Sequence, residues 1–206
     1  MKKVKVLIVD DHTIVRMGFA SLLGTAQSLE IVGSVGSGAE AIESARKLKP
    51  DVVLMDLMMP KMDGAETTAA LISENPGCNI LIITTFSTAN GIGTALASGA
   101  KGAVLKNIGF DDLVDAILRV SRGERYISPE LEQILGEEKP VPALSPRQGE
   151  ILSLVSQGMT NEAISNRLGI SIPMVRQHLD ALFTKIGASN RAEAVAIALR
   201  KHLLKI

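Results

Sequence analysis

Three aspartates follow apolar runs in the first third of the chain and could do chemistry together. Asp10 and Asp11 follow the run at residues 4–9, and Asp56 follows a second run at residues 52–55. Short apolar runs are typical of buried strands in a parallel sheet, and open sheets of this kind bind ligands at the carboxyl ends of their strands. Three carboxylates held together there are costly without a cation. The pattern therefore predicts a hard-metal site beside an acidic nucleophile.

Alternating strand-like and helix-like segments position these aspartates. The strand-like segments are separated by stretches with the helical spacing of apolar residues, and they cover residues 4–9, 30–35, 51–55, 80–84 and 103–105. Helices between strands mean right-handed crossovers and a parallel sheet. We therefore expect an α/β, doubly wound, flavodoxin-like domain with a five-stranded parallel sheet over residues 1–122.

The rest of the chain predicts a linker and a small all-α domain. Residues 123–142 are rich in proline, glycine and charge, which favours a linker with one short helical turn at residues 130–135. Beyond it the periodicity is helical, and four helices have capping residues at their starts, namely Ser145, Thr160, Ser171 and Asn190. Four short helices with a glycine-containing turn between the second and third predict a helix-turn-helix domain over residues 143–206.

Charge and cysteine content limit the partners and the setting. Residues 1–142 contain 14 Lys and Arg against 18 Asp and Glu, a net charge of −4, whereas residues 143–206 contain 8 against 4, a net charge of +4. The basic end indicates nucleic acid as a partner. Cys78 is the only cysteine, so no intrachain disulfide can form. Because no apolar stretch approaches the length of a membrane span, we expect a cytoplasmic protein without a membrane partner.

Several segments and single residues carry a family pattern, namely Val9-Asp10-Asp11-His12, Met55-Asp56-Leu57-Met58-Met59-Pro60, Met62-Asp63-Gly64, Thr84 and Lys106. Together they resemble the receiver domain of a two-component response regulator. The tail, from residues 144–147 to residues 190–195, resembles a LuxR-type helix-turn-helix. Both resemblances together point to the NarL/FixJ subfamily of transcriptional regulators.

The resemblance implies a role for each residue of the acidic site. Asp56 would accept a phosphoryl group from a sensor histidine kinase as an acyl phosphate. Lys106 would pair with Asp56 before the reaction and with a phosphoryl oxygen after it, and Thr84 would donate its hydroxyl to that group. Mg²⁺ is the implied cofactor. Its ligands would be the carboxylates of Asp10, Asp11 and Asp56 and the backbone carbonyl of Met58.

Each of these residues also has a plainer interpretation when taken alone. Asp10 and Asp11 could cap the helix that begins near residue 13. Lys106 could be a solvated surface charge, and Thr84 an ordinary strand residue. The joint arrangement favours the phosphoacceptor site. His12 is interpreted as a surface helix residue rather than a ligand.

One position departs from the family pattern. Receivers of this kind often have an aromatic residue three positions before the lysine, where this chain has Ala103. The preceding helical segment, residues 88–98, contains Gly91 and Gly93, and interior glycines weaken helices. We therefore hypothesise that activation acts through ordering of residues 88–98 rather than through an aromatic side-chain rotation.

The tail has candidate contacts to DNA along its third helix, expected at residues 172–185. Arg176 and Gln177 have side chains suited to guanine and adenine edges. Val175 either lies near thymine methyl groups or packs in the core. Candidates for phosphate contacts, which position the protein without reading sequence, are Thr160, Lys185, Asn190 and Arg191.

Two acidic residues in the tail oppose strong DNA binding. Glu162 and Asp180 would each repel phosphates. Asp180 could instead accept a hydrogen bond from cytosine or pair with Arg176 one helical turn earlier.

The favoured function is a phosphorylation-controlled, DNA-binding transcriptional regulator that dimerises when phosphorylated and catalyses only its own phosphoryl transfer and dephosphorylation. One alternative is a phosphorylation-controlled protein-interaction module with weakened DNA binding, suggested by Glu162 and Asp180. The other is an aspartyl-phosphate phosphohydrolase. Such enzymes need a second acid two residues after the nucleophile, and Met58 at that position disfavours this alternative.

Overall fold

Contacts within the chain divide it into two units, Met1–Glu138 and Lys139–Ile206. The computed structural model describes residues 2–85, 89–137, 144–200 and 203–204. Its helices and strands confirm the predicted combination of an α/β domain with an all-α domain.

The first unit contains a parallel sheet in the order β2-β1-β3-β4-β5-β6. Its strands are β1 (Val4–Val9), β2 (Leu29–Val35), β3 (Val52–Asp56), β4 (Ile80–Thr84), β5 (Gly102–Leu105) and β6 (Tyr126–Ile127). The helices of this unit are α1 (Thr13–Gly24), α2 (Gly38–Leu48), α3 (Gly64–Glu74), α4 (Ala89–Ala97), α5 (Phe110–Ser121) and α6 (Pro129–Glu137). The chain reverses its direction of travel across the sheet after β2, which places the first switch point between β1 and β3.

Both faces of the sheet are buried. Along β1, Leu7 and Val9 belong to the core on one face, and Val6 and Ile8 belong to the core on the other. Side chains alternate between the faces of a strand, so a strand with consecutive buried apolar residues must be covered on both sides. The helices supply that cover, which gives the doubly wound arrangement.

The sheet has six strands rather than the five that the sequence predicted. β6 pairs with β5 in parallel, and Gly102 permits the close approach, because a Cβ atom there would lie 2.2 Å from the carbonyl oxygen of Tyr126. The helix α6 follows at once and buries Leu131 completely in the core. Residues 126–137, which lie in the predicted linker, therefore form a strand and a full helix rather than one short turn.

The second unit consists of four helices at the predicted places. They are α7 (Pro146–Ser156), α8 (Asn161–Leu168), α9 (Ile172–Ile186) and α10 (Arg191–Arg200). Ser145 caps α7 in a capping box with Gln148, and Thr160 and Ser171 accept hydrogen bonds from the first turns of α8 and α9. No helix in the described ranges is long and apolar enough to span a bilayer.

Candidate functional site

The ends of two neighbouring strands bring the predicted aspartates together. Asp10 and Asp11 follow β1, and Asp56 is the last residue of β3, which pairs with β1 in register. Ligand atoms of Asp10, Asp11, His12 and Asp56 all lie within 4.8 Å of one another. The arrangement is the one expected at the switch point of an open α/β sheet.

A single lysine partners the two most deeply buried carboxylates. Asp10 and Asp56 are only 1% and 3% exposed. The Nζ of Lys106 lies 2.6 Å from Oδ2 of Asp10 and 3.1 Å from Oδ2 of Asp56. One ammonium group therefore faces two buried carboxylates, which leaves the site with an excess of negative charge.

Burial and the neighbouring charges shift the pKa values of both Asp56 and Lys106. Burial raises the pKa of Asp56 to about 6, although Lys106 and a hydrogen bond from the backbone of Met58 act to lower it. Burial also acts to lower the pKa of Lys106, but its contacts with Asp10 and Asp56 outweigh burial and raise that pKa above its usual value. At neutral pH, Lys106 is charged and Asp56 is largely ionised.

The oxygen ligands at the strand ends fit a hard cation such as Mg²⁺. Within the part of the chain that the structure describes, Oδ1 of Asp11 is buried and has no hydrogen-bond partner. Nδ1 of His12 lies 2.8 Å from it, but the contact lacks hydrogen-bond geometry. Carboxylate and carbonyl oxygens are the ligands that Mg²⁺ prefers. The unsatisfied oxygen beside Asp56 is thus chemically suited to metal binding.

Asp10 and Asp11 are not the N-cap residue of α1, so capping of this helix does not explain their presence. The N-cap residue of α1 is His12, and its side chain makes no capping hydrogen bond. Asp10 accepts a hydrogen bond from the backbone N–H of His12 at 2.8 Å rather than from an amide of the first helical turn. The side chain of His12 is 68% exposed, in line with its interpretation as a surface residue.

The structure places Thr84 and Lys106 at the ends of neighbouring strands, as predicted. Thr84 is the last residue of β4 and is fully buried. Its carbonyl oxygen accepts a hydrogen bond from the backbone N–H of Lys106 at 2.8 Å. That bond fixes the backbone of both residues beside Asp56.

Two residues that support the site were not recognised as such from the sequence. Arg16 donates to the carbonyl oxygen of Asp10 at 2.6 Å and to the hydroxyl of Thr13 at 3.3 Å. Gly64 lies so close to Asp56 that a Cβ atom would stand 2.3 Å from its carbonyl oxygen. The sequence features that could have indicated these two roles were the position of Arg16, about one and a half helical turns after the aspartate pair, and the position of Gly64, directly after the capping residue Asp63.

In the second unit, α9 presents its first exposed polar residues next to a buried one. Arg176 and Gln177 are exposed, so both side chains can reach an external partner. Val175 is fully buried in the helical core, so of its two alternative interpretations, contact with thymine methyl groups and core packing, the structure supports core packing. Adjacent helix positions point about 100° apart, which is why one of the three faces inward.

The predicted phosphate-contacting residues already bond within the unit, each at a helix terminus or between helices. Thr160 caps α8, and Asn190 accepts a hydrogen bond from the N–H of Glu193 at 2.9 Å. Lys185 donates to Gln148 at 3.2 Å. The guanidinium of Arg191 bonds the carbonyl of Met159 and, at 3.3 Å, Asn161, and burial lowers the pKa of this group.

The two acidic residues of the tail are exposed. Glu162 lies in the first turn of α8, and Asp180 lies in the middle of α9. Among the described residues, no ion pair joins Asp180 to Arg176, so the suggested pairing one turn apart does not form. Arg176 is therefore available to an external partner.

Two family patterns match most of the chain. The family described as "Response regulator receiver domain" matches residues 6–118. The family described as "Bacterial regulatory proteins, luxR family" matches residues 142–198.

Proteins with both parts resemble the whole chain. The response regulator protein VraR of Staphylococcus aureus is 35% identical over 207 residues, covering 98% of this chain and 99% of that protein. Among solved structures, the response regulator ChrA of a heme-sensing two-component system is 32% identical with a TM-score of 0.60, covering 99% of this chain and 100% of that one. RcsB, seen as two dimers bound to two parallel DNAs, is 25% identical with a TM-score of 0.66 over 97% of this chain and 99% of that one.

Proposed function

Because the chain belongs to the two-component response regulators of the NarL/FixJ type, with a receiver domain and a LuxR-type helix-turn-helix domain, we propose that Asp56 is the residue on which it is phosphorylated. The protein is a phosphorylation-controlled, DNA-binding transcriptional regulator. The observation that supports Asp56 is its position, since it is a buried carboxylate at a strand end whose Oδ2 lies 3.1 Å from Nζ of Lys106.

The chemistry follows from the charges around Asp56. A carboxylate oxygen attacks the phosphorus of a phosphohistidine, the bond from phosphorus to the histidine nitrogen breaks, and that nitrogen keeps the electron pair. Asp10, Asp11 and Asp56, with the carbonyl of Met58, would hold Mg²⁺, which would supply positive charge for the phosphoryl oxygens.

The remaining residues of the site position and stabilise the phosphoryl group. Lys106 exchanges its contact with Asp56 for a phosphoryl oxygen while it keeps Asp10 as a partner at 2.6 Å. Thr84 donates its hydroxyl to another phosphoryl oxygen. The catalysis is confined to this transfer and to the later loss of the phosphoryl group, because Met58 stands where a phosphohydrolase needs a second acid.

The partners follow from the two domains. A cytoplasmic sensor histidine kinase domain donates the phosphoryl group, and the phosphorylated protein binds paired DNA half-sites as a homodimer in the cytoplasm. The structure of RcsB dimers on DNA supports this arrangement. The domain limits that accompany the proposal are a receiver over residues 1–122, a connecting region over residues 123–142 that contains β6 and α6, and a DNA-binding domain over residues 143–206.

In the DNA-binding domain, α9 enters the major groove with Arg176 and Gln177 at base edges. Lys185, Thr160, Asn190 and Arg191 contact phosphates, the last three from positions at helix starts where the backbone N–H groups favour anions.

The test of the phosphoacceptor is labelling with a radioactive acyl-phosphate donor in the presence of Mg²⁺. Asp56→Asn is expected to abolish labelling. Asp63→Asn is the matched control, since Asp63 is a half-buried capping residue of α3 outside the acidic cluster and asparagine also caps helices. Labelling that persists in Asp56→Asn would move the site to another residue.

A protein-interaction module remains the second candidate because Glu162 and Asp180 are exposed on the DNA-binding domain. Binding of the phosphorylated chain to random duplex DNA at several salt concentrations separates the two functions. A DNA-binding protein loses affinity as salt rises, whereas an interaction module shows no binding even at low salt.

A further inference from the structure

A cavity of about 320 Å³ opens where β5 and β6 end, apart from the acidic site. The loop after β5, the first turn of α5 and the start of α6 form its walls. Leu105 and Ile108 contribute apolar surface, and Tyr126 contributes its ring. The volume falls in the range of small-molecule sites, and the carboxyl ends of parallel strands are where such sites form.

One buried hydroxyl in this cavity lacks a partner. Ser128 lines the cavity and is only 3% exposed, and among the described residues its Oγ has no hydrogen-bond partner. Ser128 precedes α6, yet the backbone N–H groups of Leu131 and Glu132 bond its carbonyl oxygen rather than its hydroxyl. Buried polar groups are almost always satisfied, so this hydroxyl is suited to a bound molecule.

The cavity is also negatively charged. The carboxylates of Asp112 and Glu130 lie on its rim, and in the described ranges neither forms an ion pair. Burial raises the pKa of the Tyr126 phenol, and the charges of Asp112, Asp115 and Glu130 raise it further. This holds although the guanidinium of Arg119 lies 4.9 Å from the centre of the same ring. A ligand in the cavity therefore experiences negative potential and should be cationic.

The lining residues favour an organic cation over a metal ion. A hard metal needs several oxygen ligands close together. Among the described residues, the only group of three or more metal-binding side chains is the one formed by Asp10, Asp11, His12 and Asp56. The cavity instead combines the carboxylates of Asp112 and Glu130 with the side chains of Leu105 and Ile108, which suits a molecule that has both a charged end and a hydrocarbon segment.

We infer that this cavity binds a small organic ammonium ion. The ammonium group pairs with Asp112 and Glu130 at the rim, the hydrocarbon segment packs on Leu105 and Ile108, and a second polar end donates to Oγ of Ser128. The site shares no residue with the proposed phosphoacceptor site, and it does not depend on phosphorylation.

The experiment is a titration of the full-length protein with 1,4-diaminobutane, followed by calorimetry and by NMR shifts of the β5 and β6 amides. Saturable binding is expected with a Kd of about 1 mM or tighter. Ser128→Ala and the pair Asp112→Asn with Glu130→Gln should each weaken binding about tenfold.

The matched control is the pair Asp111→Asn with Glu132→Gln, which removes the same charge from exposed neighbours that do not line the cavity. This control should bind as the unchanged protein does. The inference is overturned if diaminobutane does not bind, if the control pair weakens binding equally, or if butane-1,4-diol binds as well. It is also overturned if Mg²⁺ displaces the diamine from the β5 and β6 amides. The pair Asp112→Asn with Glu130→Gln, which removes two exposed carboxylates, keeps the test valid even if Ser128→Ala fails to fold.

Discussion

At the scale of the residue, Asp56 carries a charge that its surroundings only partly compensate. The carboxylate is almost fully buried, and it shares Lys106 with Asp10. The sequence predicted that these residues meet, because strand ends in a parallel sheet share one edge. It did not predict that Lys106 lies closer to Asp10 than to Asp56, since side-chain distances depend on packing that no sequence pattern encodes.

The raised pKa of Asp56 predicts a pH-dependent stability. The folded protein binds the proton at about pH 6, against 3.8 for the free group, so protonated Asp56 favours folding. This contribution is fully present below about pH 4 and is lost as the pH rises through 6, and it amounts to about 3 kcal/mol. Without metal, Asp56→Asn should therefore be the more stable protein at pH 7 and lose that advantage near pH 4. Urea unfolding in EDTA measures the difference.

Asp63→Asn serves as the control for this pH effect, because it removes a half-buried carboxylate that does not belong to the acidic cluster. Addition of Mg²⁺ at pH 7 should stabilise the unchanged protein by binding the folded state, and Asp56→Asn much less. An identical dependence of unfolding on pH in the unchanged protein and in Asp56→Asn would contradict the assignment of the raised pKa to this carboxylate.

Gly64 gives a second prediction at this scale. An added Cβ would lie 2.3 Å from the carbonyl oxygen of Asp56 and 2.8 Å from Cα of Leu57, both backbone atoms that cannot rotate away. Gly64→Ala should cost about 1–3 kcal/mol of unfolding free energy. It should also slow labelling of Asp56 by at least about tenfold, because small displacements of a nucleophile are expensive.

The control for Gly64→Ala is Gly18→Ala in α1, where no atom lies within 4 Å of the added Cβ. The measurement is the rate of acyl-phosphate labelling of Asp56 in the two variants under the same conditions. Equal rates for the two variants would show that the loop carrying Asp56 adapts without consequence.

At the scale of the element, the long helices and strands were predictable and the short ones were not. The starts of α7 to α9 could be predicted from their capping serine and threonine residues, because an N-cap requires a particular kind of side chain at one position. β6 has only two residues, too few to show an alternation, so it was assigned to the linker. Val175 was ambiguous because the rotational phase of a helix is uncertain by one residue at its start.

The position of α6 gives the hypothesis about α4 a structural basis. α6 packs against α4 and β5, and Leu131 of α6 belongs to the same core as Ile92 of α4 and Ala103 of β5. The small side chain of Ala103 is thus covered by aliphatic groups from both helices. A change in the order of α4 would act directly on α6. Residue 88, the first of the predicted helical segment, lies outside the described residues.

A helix-stabilising substitution tests this hypothesis. A Cβ at Gly93 would meet nothing within 4 Å, so Gly93→Ala should stabilise α4 by about 0.5–1 kcal/mol. Hydrogen exchange of residues 89–97 should slow in the unphosphorylated variant, and an acyl-phosphate mimic should then add less protection than in the unchanged protein.

Gly149→Ala in α7 is the matched control, since it also fills open space in a helix but in the other unit. It should leave exchange in residues 89–97 unaltered. If the mimic adds the same protection with and without alanine at position 93, ordering of α4 is not how the signal is carried.

At the scale of the whole molecule, an acidic unit and a basic unit share one chain. The sequence showed this division of charge, and the structure shows which basic groups are available. Arg191 is engaged within its own unit, whereas Arg176 is exposed on α9. Composition alone could not separate these two arginines, because their availability depends on tertiary contacts.

The two arginines should respond differently to substitution. Arg176→Ala should leave stability within about 0.5 kcal/mol and weaken specific DNA binding by about 1–3 kcal/mol. Arg191→Ala should lower the unfolding temperature in addition to weakening DNA binding, because the carbonyl of Met159 loses its donor and the proposed phosphate contact is lost. Fluorescence anisotropy with duplex DNA and thermal unfolding distinguish the outcomes. Arg122→Ala, an equal loss of charge in the acidic unit, should change neither binding to DNA nor its salt dependence.

The two-residue strand β6 also determines which fragments of the first unit should remain monomeric. It covers the backbone of β5, whose N–H and C=O groups would otherwise form an open sheet edge, and such edges recruit strands from other molecules. A fragment ending at residue 122 should therefore self-associate through β5, as light scattering would show, whereas a fragment ending at residue 138 should stay monodisperse. Equal solubility of both fragments would contradict this. The short strand β6 thus prevents β5 from pairing with strands of other molecules.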